Sequence, residues 1–502
     1  MTFTEYVDPI RWWARLTPEK TAIVDRANGM RTSYAALDHA ASHWAALFAS
    51  RGIRPLDRVA ALASNRVEMV ALFYGCGRVG AALVPLNWRL SSSELSRVLV
   101  DAQPTLLVGE ERFSGSHHAL GADLPWLDLG REAPAALAAS APEVTSSGIV
   151  QLEHPAMILY TSGSTGAPKG VIISHRQILF NAVATTTAWQ LTGTDCGPVS
   201  TPFFHTGGWH VFATPLWSQG GTVVLFEAFD PDTFLDGLAT EGCTIAFGVP
   251  TQFVMMIERA SWGRPLPSLR WFISGGAPCP RSLADRIRSS GYQMKEGFGM
   301  TECGPNCFAI ADEMAVDKPG SVGWPVPFLE TRLVDEHGGD VSDETVGELL
   351  LRGPQLFSGY LHAADRTAEV MTAEGWLKTG DLASRDGDGA YTIRGRRKDM
   401  FISGGENVYP GEVEAALVGC DGVGEAVVVG VSHARWGEVG HAFIQPRAGA
   451  HPEPDALIGR LRATLAHYKV PKAFEIVGEL PRIGSGKIDR AALRILAAEH
   501  TR

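Results

Sequence analysis

The 502-residue sequence predicts an α/β protein: a large N-terminal domain of stacked α/β layers with a small β-barrel-like subdomain, followed by a small α+β domain. Three observations carry that expectation. Up to Gly323, helical periodicity alternates with short apolar runs, the pattern of parallel sheets covered on both faces. From Gly323 to Ile393 the texture changes to strands joined by turns. Beyond Lys398 the chain holds helices and strands of its own, enough for a separate unit. A boundary at Arg396–Asp399 divides the chain into residues 1–397 and 398–502.

Ser33–Arg51 has helical periodicity, Arg58–Ala63 reads as a strand and Val67–Gly80 as a helix, with further short strands at Leu83–Leu86 and Thr105–Val108. Gly221–Phe226, Cys243–Val249 and Leu269–Ser274 are apolar runs, each ending at a Gly-, Ser- or Pro-rich turn. The carboxyl ends of such strands are where open α/β sheets hold ligands. Glu330–Asp335, Gly347–Arg352, Leu382–Ser384 and Ala390–Ile393 follow as strands, the last two around Asp386-Gly387-Asp388-Gly389. That tetrapeptide lacks the downstream carboxylates of a calcium loop, so it is expected to be a hairpin turn. The C-terminal helices and strands cover Pro410–Leu417, Glu425–Val431, His441–Ile444 and Asp455–Leu465.

A net charge of -11 argues against a nucleic-acid surface spread over the molecule; Arg394, Arg396, Arg397 and Lys398 form a local basic cluster. Met1–Leu16 carries Glu5, Asp8, Arg11 and Arg15 and does not read as a signal peptide. The apolar stretch Met69–Leu86 is broken by Arg78, Gly75, Gly77 and Gly80, which argues against a membrane span. Seven cysteines with no CxxC and no zinc spacing fit free thiols in a reducing cytoplasm.

The strongest chemical signal is Tyr160-Thr161-Ser162-Gly163-Ser164-Thr165-Gly166-Ala167-Pro168-Lys169-Gly170, which follows an apolar strand end. Hydroxyls and glycines in one loop present N–H and O–H donors to a polyanion, and Lys169 adds a positive charge. The order Pro-Lys-Gly differs from that of a Walker loop. Thr301 and Glu302 close another glycine-rich turn, where a hydroxyl can meet phosphate and a carboxylate can hold Mg²⁺. Asp381 follows Lys378-Thr379-Gly380 in an expected turn, and Lys487 lies in the loop Gly484-Ser485-Gly486-Lys487.

These segments resemble, in order and over essentially the whole chain, the superfamily of acyl-CoA synthetases, firefly luciferase and nonribosomal peptide adenylation domains. The matching segments are the Tyr160–Gly170 loop, Glu296–Glu302, Lys378–Asp381, Gly395–Asp399, Ser403–Pro410 and Pro481–Lys487. The resemblance implies a soluble enzyme using ATP, Mg²⁺ and coenzyme A to turn a carboxylic acid into an acyl-adenylate and then a thioester. Thr161, Ser162, Gly163, Ser164, Thr165, Gly166 and Lys169 would cradle phosphate, with Thr165 and Glu302 at the metal. Gly276-Ala277-Pro278 and Gly297-Phe298-Gly299 would flank adenine, with Met300, Thr301 and Ile393 completing the nucleotide site. Asp381 and Arg396 would hold the ribose.

Lys487 would offset the repulsion between carboxylate and α-phosphate. Lys398 resembles the hinge about which the small, mobile domain turns between half-reactions. Ser403, Gly404, Gly405 and Glu406 would meet coenzyme A in the second. Phe203–His210 resembles the segment closing over the acid, with His205 as the gate and Trp209, Phe247, Val249, Phe253, Met300, Gly275 and Glu296 around the acyl group. No aspartate stands where amino-acid-activating relatives bind an ammonium.

Two departures from the pattern leave the acid open: Glu296 replaces a commonly neutral residue, and Phe298 replaces a common tyrosine. Coenzyme A leads as acceptor, over a carrier-protein pantetheine or an amine. Activation of an inorganic oxyanion such as nitrite is a further alternative. The intact Lys487, Glu302, Asp381 and Thr165 argue against a silent nucleotide-binding protein.

Overall fold

The computed structural model describes residues 5–115, 124–131, 150–162, 168–404, 406–433, 435–483 and 487–500. Its first layer is a six-stranded sheet ordered Trp126–Asp128, Leu106–Gly109, Arg58–Leu62, Ala82–Pro85, Pro155–Ser162 and Pro168–Ser174. All pairs are parallel except the last, an antiparallel hairpin. Apolar alternation between strands and helices produces this layering, because each strand is buried on both faces.

The glycine-broken stretch from Met69 lies in the helix Val67–Val79, which is buried along its length and ends at Gly80 with φ 75°. A Cβ on Gly75 would lie 2.5 Å from the Trp44 Cβ, so this helix meets Tyr34–Ser50 at backbone distance. Arg78 is buried in ion pairs with Asp8 at 2.7 Å and Asp38 at 2.6 Å. No helix among the described residues is long and apolar enough to cross a membrane.

The second layer joins two sheets. One is ordered Arg31–Ser33, Thr21–Asp25, Thr222–Leu225, Cys196–Val199; the other, all parallel, is Ile245–Gly248, Trp271–Ser274, Met294–Glu296. The Thr244 N–H donates to the Cys196 carbonyl at 2.8 Å and links their edges. Strand alternation sorts the side chains of the second sheet. Ile245, Trp271 and Ile273 face the main core, with Phe247 packed against it. Ala246, Phe272 and Met294 face a second core built from Phe234, Leu238 and Phe253.

The strand-and-turn region is a six-stranded antiparallel sheet in the order Phe308–Ala309, Ser321–Pro325, Tyr391–Arg396, Leu377–Arg385, Gly347–Arg352, Glu330–Val334. Register shifts near Gly323, Leu350 and Ala383 curl it. Asp386–Gly389 is the expected hairpin turn, closed by the Gly389 N–H donating to the Asp386 carbonyl at 2.8 Å. Its two aspartates hold the Lys318 ammonium, at 2.6 and 2.7 Å. Asp381 lies inside the strand Leu377–Arg385 and not in a turn. Lys378-Thr379-Gly380 hides that strand in the sequence, since it lacks apolar alternation and Gly380 takes φ 71°.

The antiparallel sheet ends at Arg396 and the next sheet starts at Phe401. That C-terminal sheet is ordered Glu406–Val408, Phe401–Ser403, Gly437–Pro446, Val423–His433, with Ala473–Ile476 parallel to Gly437–Pro446. Alternate residues of one strand serve two small cores. Ala426 and Val428 pack under the helices Pro410–Val418 and Pro454–Thr464. Val427, Val429 and Val431 meet Leu493 and Ala497 of the helix Arg490–His500.

Candidate active site

The hydroxyl-rich loop is the connection of the hairpin Pro155–Ser162 / Pro168–Ser174, in which Thr161 pairs with Lys169. Gly163, Ser164, Thr165 and Gly166 lie outside the described residues, as do Gly405 and Gly484–Gly486. The hairpin aims Lys169 at the ring of Tyr360, 5.1 Å from its centroid. The Tyr360 hydroxyl in turn donates to Glu302 Oε1 at 2.8 Å.

Glu302 is buried and sits on a backbone held at three consecutive carbonyls. Gln177 Nε2 donates to Thr301 O at 2.9 Å, Phe357 N–H to Glu302 O at 2.8 Å and Gln355 Nε2 to Cys303 O at 2.9 Å. Cys303 and Cys307, with sulfurs 3.1 Å apart, are buried beneath this turn; all seven cysteines are free.

Asp381 faces Arg396 across the curled sheet, with Arg396 Nε 3.0 Å from Asp381 Oδ1. Its other oxygen, Oδ2, is buried with no partner among the described residues. Burial pushes the carboxyl up to about 6, and Arg396 offsets only part of that. An orphaned carboxylate oxygen beside a guanidinium is an acceptor for hydroxyl donors, so the site fits the ribose of a nucleotide. Among the described residues no cluster of three metal-ligating side chains exists. A magnesium ion fits here by sharing the Glu302 carboxylate with substrate phosphates, since Mg²⁺ needs few protein ligands.

Lys487, from the far end of the chain, enters this same charge field. The residue as a whole is exposed, and only its ammonium end turns toward the other charges. Burial of the ammonium holds its pKa below the ordinary lysine value, reinforced by Arg396 and Lys398, while Glu302 and Asp381 pull it back up. The same ammonium reaches His205: burial, then Lys487 and Arg89, push that imidazole down to about 4. His205 is therefore neutral at pH 7. The structure thus brings together Lys487, His205, Glu302, Asp381 and Arg396, which the sequence places up to hundreds of residues apart.

The acyl-side residues divide. The Phe247 ring is bracketed by two residues without side chains: a Cβ on Gly275 would lie 3.2 Å from Phe247 Cε2, and one on Gly207 3.7 Å from Cε1. Gly275 is also beside Gly297, and Val249 lies against Gly276. Phe298 and Met300 are half-buried on the main core, as is Ile393 on the curled sheet. Gly276, Ala277 and Pro278 are exposed.

Trp209 and Phe253 depart from the expectation: both are 0 % exposed. Trp209 stacks on Phe203 at 4.1 Å and donates its indole N–H to the Phe203 carbonyl at 2.6 Å, so it is core. Phe253 packs in the second core against Phe272. Glu296 pairs with Ser274, and the pleat turns it to the face opposite Phe247. There burial pushes its carboxyl up to about 7, against the influence of Arg288 and the Gly320 N–H. A one-residue step along a strand separates pocket from core, and the sequence does not show which parity faces the ligand.

In the small domain Ser403 is buried, Glu406 is exposed, and Gly404 (φ 64°) lies against Trp436, its N–H donating to the Trp436 carbonyl at 2.8 Å. Lys398 is exposed between the two sheets. Tyr360, Gln177 and Gln355 were missed by sequence reasoning, because each acts through tertiary contact and none stands in a glycine-rich or charged motif.

Comparison with known proteins meets this geometry at both domains. Residues 10–361 match the family model described as AMP-binding enzyme, and residues 412–487 match AMP-binding enzyme C-terminal domain. The chain belongs to the AMP-binding enzymes. Within them it stands with the acyl-CoA ligase branch of the adenylating superfamily. It is 37% identical over 96% of its length to a feruloyl-CoA synthase of Amycolatopsis sp, covering 96% of that protein. It is 35% identical to an indoleacetate–CoA ligase of Aromatoleum aromaticum, over 100% of this chain and 99% of that one. An o-succinylbenzoate coenzyme A synthetase from Bacillus subtilis, solved with ATP and magnesium ion, superposes with a TM-score of 0.87 at 29% identity, covering 97% of this chain and 98% of that one.

Proposed function

We propose that this adenylating enzyme is an acid–CoA ligase for a carboxylic acid bearing an aromatic ring. The observation that carries the adenylation chemistry is Lys487 lodged in the charge field of Glu302, Asp381 and Arg396, beside His205. The aromatic substrate lies in this reading against the Phe247 ring, whose edges meet Gly207 and Gly275, two residues that add no side chain there. The names of the feruloyl, indoleacetate and succinylbenzoate ligases, each an aromatic acid, support it.

In this reading Asp381 Oδ2 accepts from the ribose hydroxyls and Arg396 keeps that carboxylate ionised. Lys169 and the preceding hydroxyl loop bind the triphosphate. Thr165 and Glu302 hold Mg²⁺, which when bound draws negative charge off the phosphates. Lys487 places its ammonium between the acid's carboxylate and the α-phosphate, offsetting their repulsion as the carboxylate oxygen attacks phosphorus and pyrophosphate leaves. His205, neutral, lets the carboxylate approach without trapping it as an ion pair.

Residues 398–502 form the small domain and Lys398 is its hinge. Turning about it exchanges Lys487 for the Ser403–Glu406 segment, and the coenzyme A thiolate then displaces AMP from the acyl carbon. The seven free cysteines support a cytoplasmic location.

The test is pyrophosphate release with ATP and Mg²⁺ across aromatic and straight-chain acids, each with and without coenzyme A. The expected outcome is the highest kcat/KM with an aromatic acid, and a thioester only when coenzyme A is present. A straight-chain preference removes the Phe247 slot from the argument. Pyrophosphate release without thioester formation identifies a different acceptor.

A further inference from the structure

Lys169 and Glu302 carry opposite charges, and neither makes a salt bridge with any described residue. One side chain touches both. Tyr360 is buried, at 8 % exposure, with the Lys169 ammonium 5.1 Å from its ring centroid and its hydroxyl donating to Glu302 Oε1 at 2.8 Å. We propose that Tyr360 is a positioning residue that sets the Glu302 carboxylate and the Lys169 ammonium in one fixed relation, so that both address the same metal–triphosphate. The proposal rests on the reading in which Glu302 holds Mg²⁺.

The backbone around Tyr360 is built to hold it still. Residues 358–361 run as an extra strand along Pro168–Ser174: Ser358 N–H donates to Ile172 O at 2.9 Å, Ile172 N–H to Gly359 O at 3.0 Å and Leu361 N–H to Gly170 O at 2.8 Å. Val171 and Tyr360 form the bridge between them. The Tyr360 N–H donates to Thr367 Oγ1 at 2.9 Å. Gly359, at φ 123°, leaves room for that threonine, whose Cγ2 lies 3.2 Å from where a Cβ would sit. The loop that carries the tyrosine is therefore anchored both to the strand that carries Lys169 and, through Phe357, to the backbone of Glu302.

The backbone of Glu302 is fixed by the same loop and by Gln177. Its own carbonyl and those of its two neighbours accept hydrogen bonds from Phe357, Gln177 and Gln355. What remains free is rotation of the carboxylate, and the Tyr360 hydroxyl settles it by taking Oε1. Oε2 has no partner among the described residues and keeps its lone pairs for a cation. A hydrogen bond to a neutral hydroxyl orients the carboxylate without cancelling its charge, which an arginine in the same place would do. On the ring's other surface, the cation–π contact restrains the long Lys169 side chain at little electrostatic cost.

The test separates orientation from packing. Tyr360→Phe keeps the ring and loses the hydroxyl. By calorimetry in the absence of acid, its ATP affinity with Mg²⁺ present should fall about tenfold, the scale of one hydrogen bond to a charged group. Its affinity without Mg²⁺ should stay at the native value. The Mg²⁺ concentration for half-maximal pyrophosphate release should rise by a similar factor while KM for the acid is unchanged, a split that a general packing defect would not give.

Glu302→Gln tests the underlying assignment: it must raise the Mg²⁺ requirement by itself, and adding Tyr360→Phe to it should cost nothing more. A Glu302→Gln enzyme with native Mg²⁺ dependence overturns the metal reading and the proposal with it. A Tyr360→Phe enzyme that binds Mg·ATP as tightly as the native protein, while Glu302→Gln does not, overturns the role of Tyr360 alone.

Discussion

Asp381 shows what a binding residue costs the fold that holds it. Burial raises its carboxyl from the ordinary aspartate range to about 6, so the folded protein binds this proton more tightly than the unfolded chain does. A raised pKa contributes stability that is complete below the unfolded value and lost as pH rises through about 6. At pH 7.5 the ionised carboxylate, with Oδ2 unpartnered, is a net burden. Asp381→Asn should therefore raise the melting temperature at pH 7.5, by the equivalent of about 1 kcal/mol, with the gain fading as pH falls through 6 toward 4. The same change should weaken ATP binding about tenfold or more, because the amide supplies one acceptor where the carboxylate supplies two. Melting curves against pH and ATP titration check both; a lower melting temperature at pH 7.5 would mean that the Arg396 ion pair outweighs the burial. Asp381 in Lys378–Asp381 and Lys487 after Gly486 stand out in the sequence only through the family resemblance of their motifs, since residue type and spacing alone favour a turn and a solvated lysine. Tyr360 does not, since a tyrosine after Ser358-Gly359 has no local signature of its partners at 169 and 302.

Among the elements, apolar runs and their punctuation placed most of the strands they picked out in the large domain to within a residue or two, as with Gly347–Arg352, and the Ser33-capped helix Tyr34–Ser50, but left helices such as Ser92–Ala102 and His175–Ala188 unread. They failed where chemistry displaced the pattern. The strand Leu377–Arg385 opens with the polar Lys378-Thr379-Gly380, which reads as a turn in the sequence. They also could not tell which parity of a buried strand faces a ligand, since both parities of Ile245–Gly248 and Met294–Glu296 are apolar or ambiguous. The pleat separates Glu296 from Phe247, while Trp209 and Phe253 stand on the helices Thr206–His210 and Pro250–Ile257, whose buried faces the sequence pattern does not distinguish from a pocket wall. The face that does carry Phe247 yields a prediction. A Cβ on Gly275 would stand 3.2 Å from Phe247 Cε2 and 3.5 Å from the Gly297 carbonyl oxygen, so Gly275→Ala narrows the slot without touching the curled sheet where Asp381 lies. KM for the aromatic acid should rise about tenfold, on the scale of a methylene in an apolar pocket, while KM for ATP holds and smaller acids are affected less. A parallel rise in both KM values would place Gly275 on the nucleotide side.

For the whole molecule, on the proposed reading, the arrangement with Lys487 among Glu302, Asp381 and Arg396 serves the first half-reaction and the Ser403–Glu406 segment replaces it for the second. The turn has to occur between Arg396, where one sheet ends, and Phe401, where the next begins. Within that interval Arg494 of the last helix donates to the Lys398 carbonyl at 3.2 Å and to Asp399 at 2.8 Å, while the Asp399 and Met400 N–H groups donate to the Arg396 carbonyl at 3.0 and 3.1 Å, two bonds that a turn about Lys398 has to open. On the other side the Arg397 N–H donates to the Gly380 carbonyl at 2.9 Å, which ties Arg397 to the large domain. Lys398 is the pivot we propose, and no described hydrogen bond uses its N–H. Proline at this position removes no bond but fixes φ near −65° and restricts Arg397 before it. Lys398→Pro should release pyrophosphate in a single turnover at close to the native rate, then accumulate bound acyl-adenylate because rotation to the thioester-forming arrangement is blocked. Lys398→Ala, which keeps the backbone free, should transfer to coenzyme A almost normally, and that contrast assigns the effect to backbone rotation rather than to the lost charge. Rapid-quench measurement of both half-reactions decides: thioester formation at the native rate by the proline variant would move the pivot elsewhere in residues 396–401 and shift the domain boundary with it.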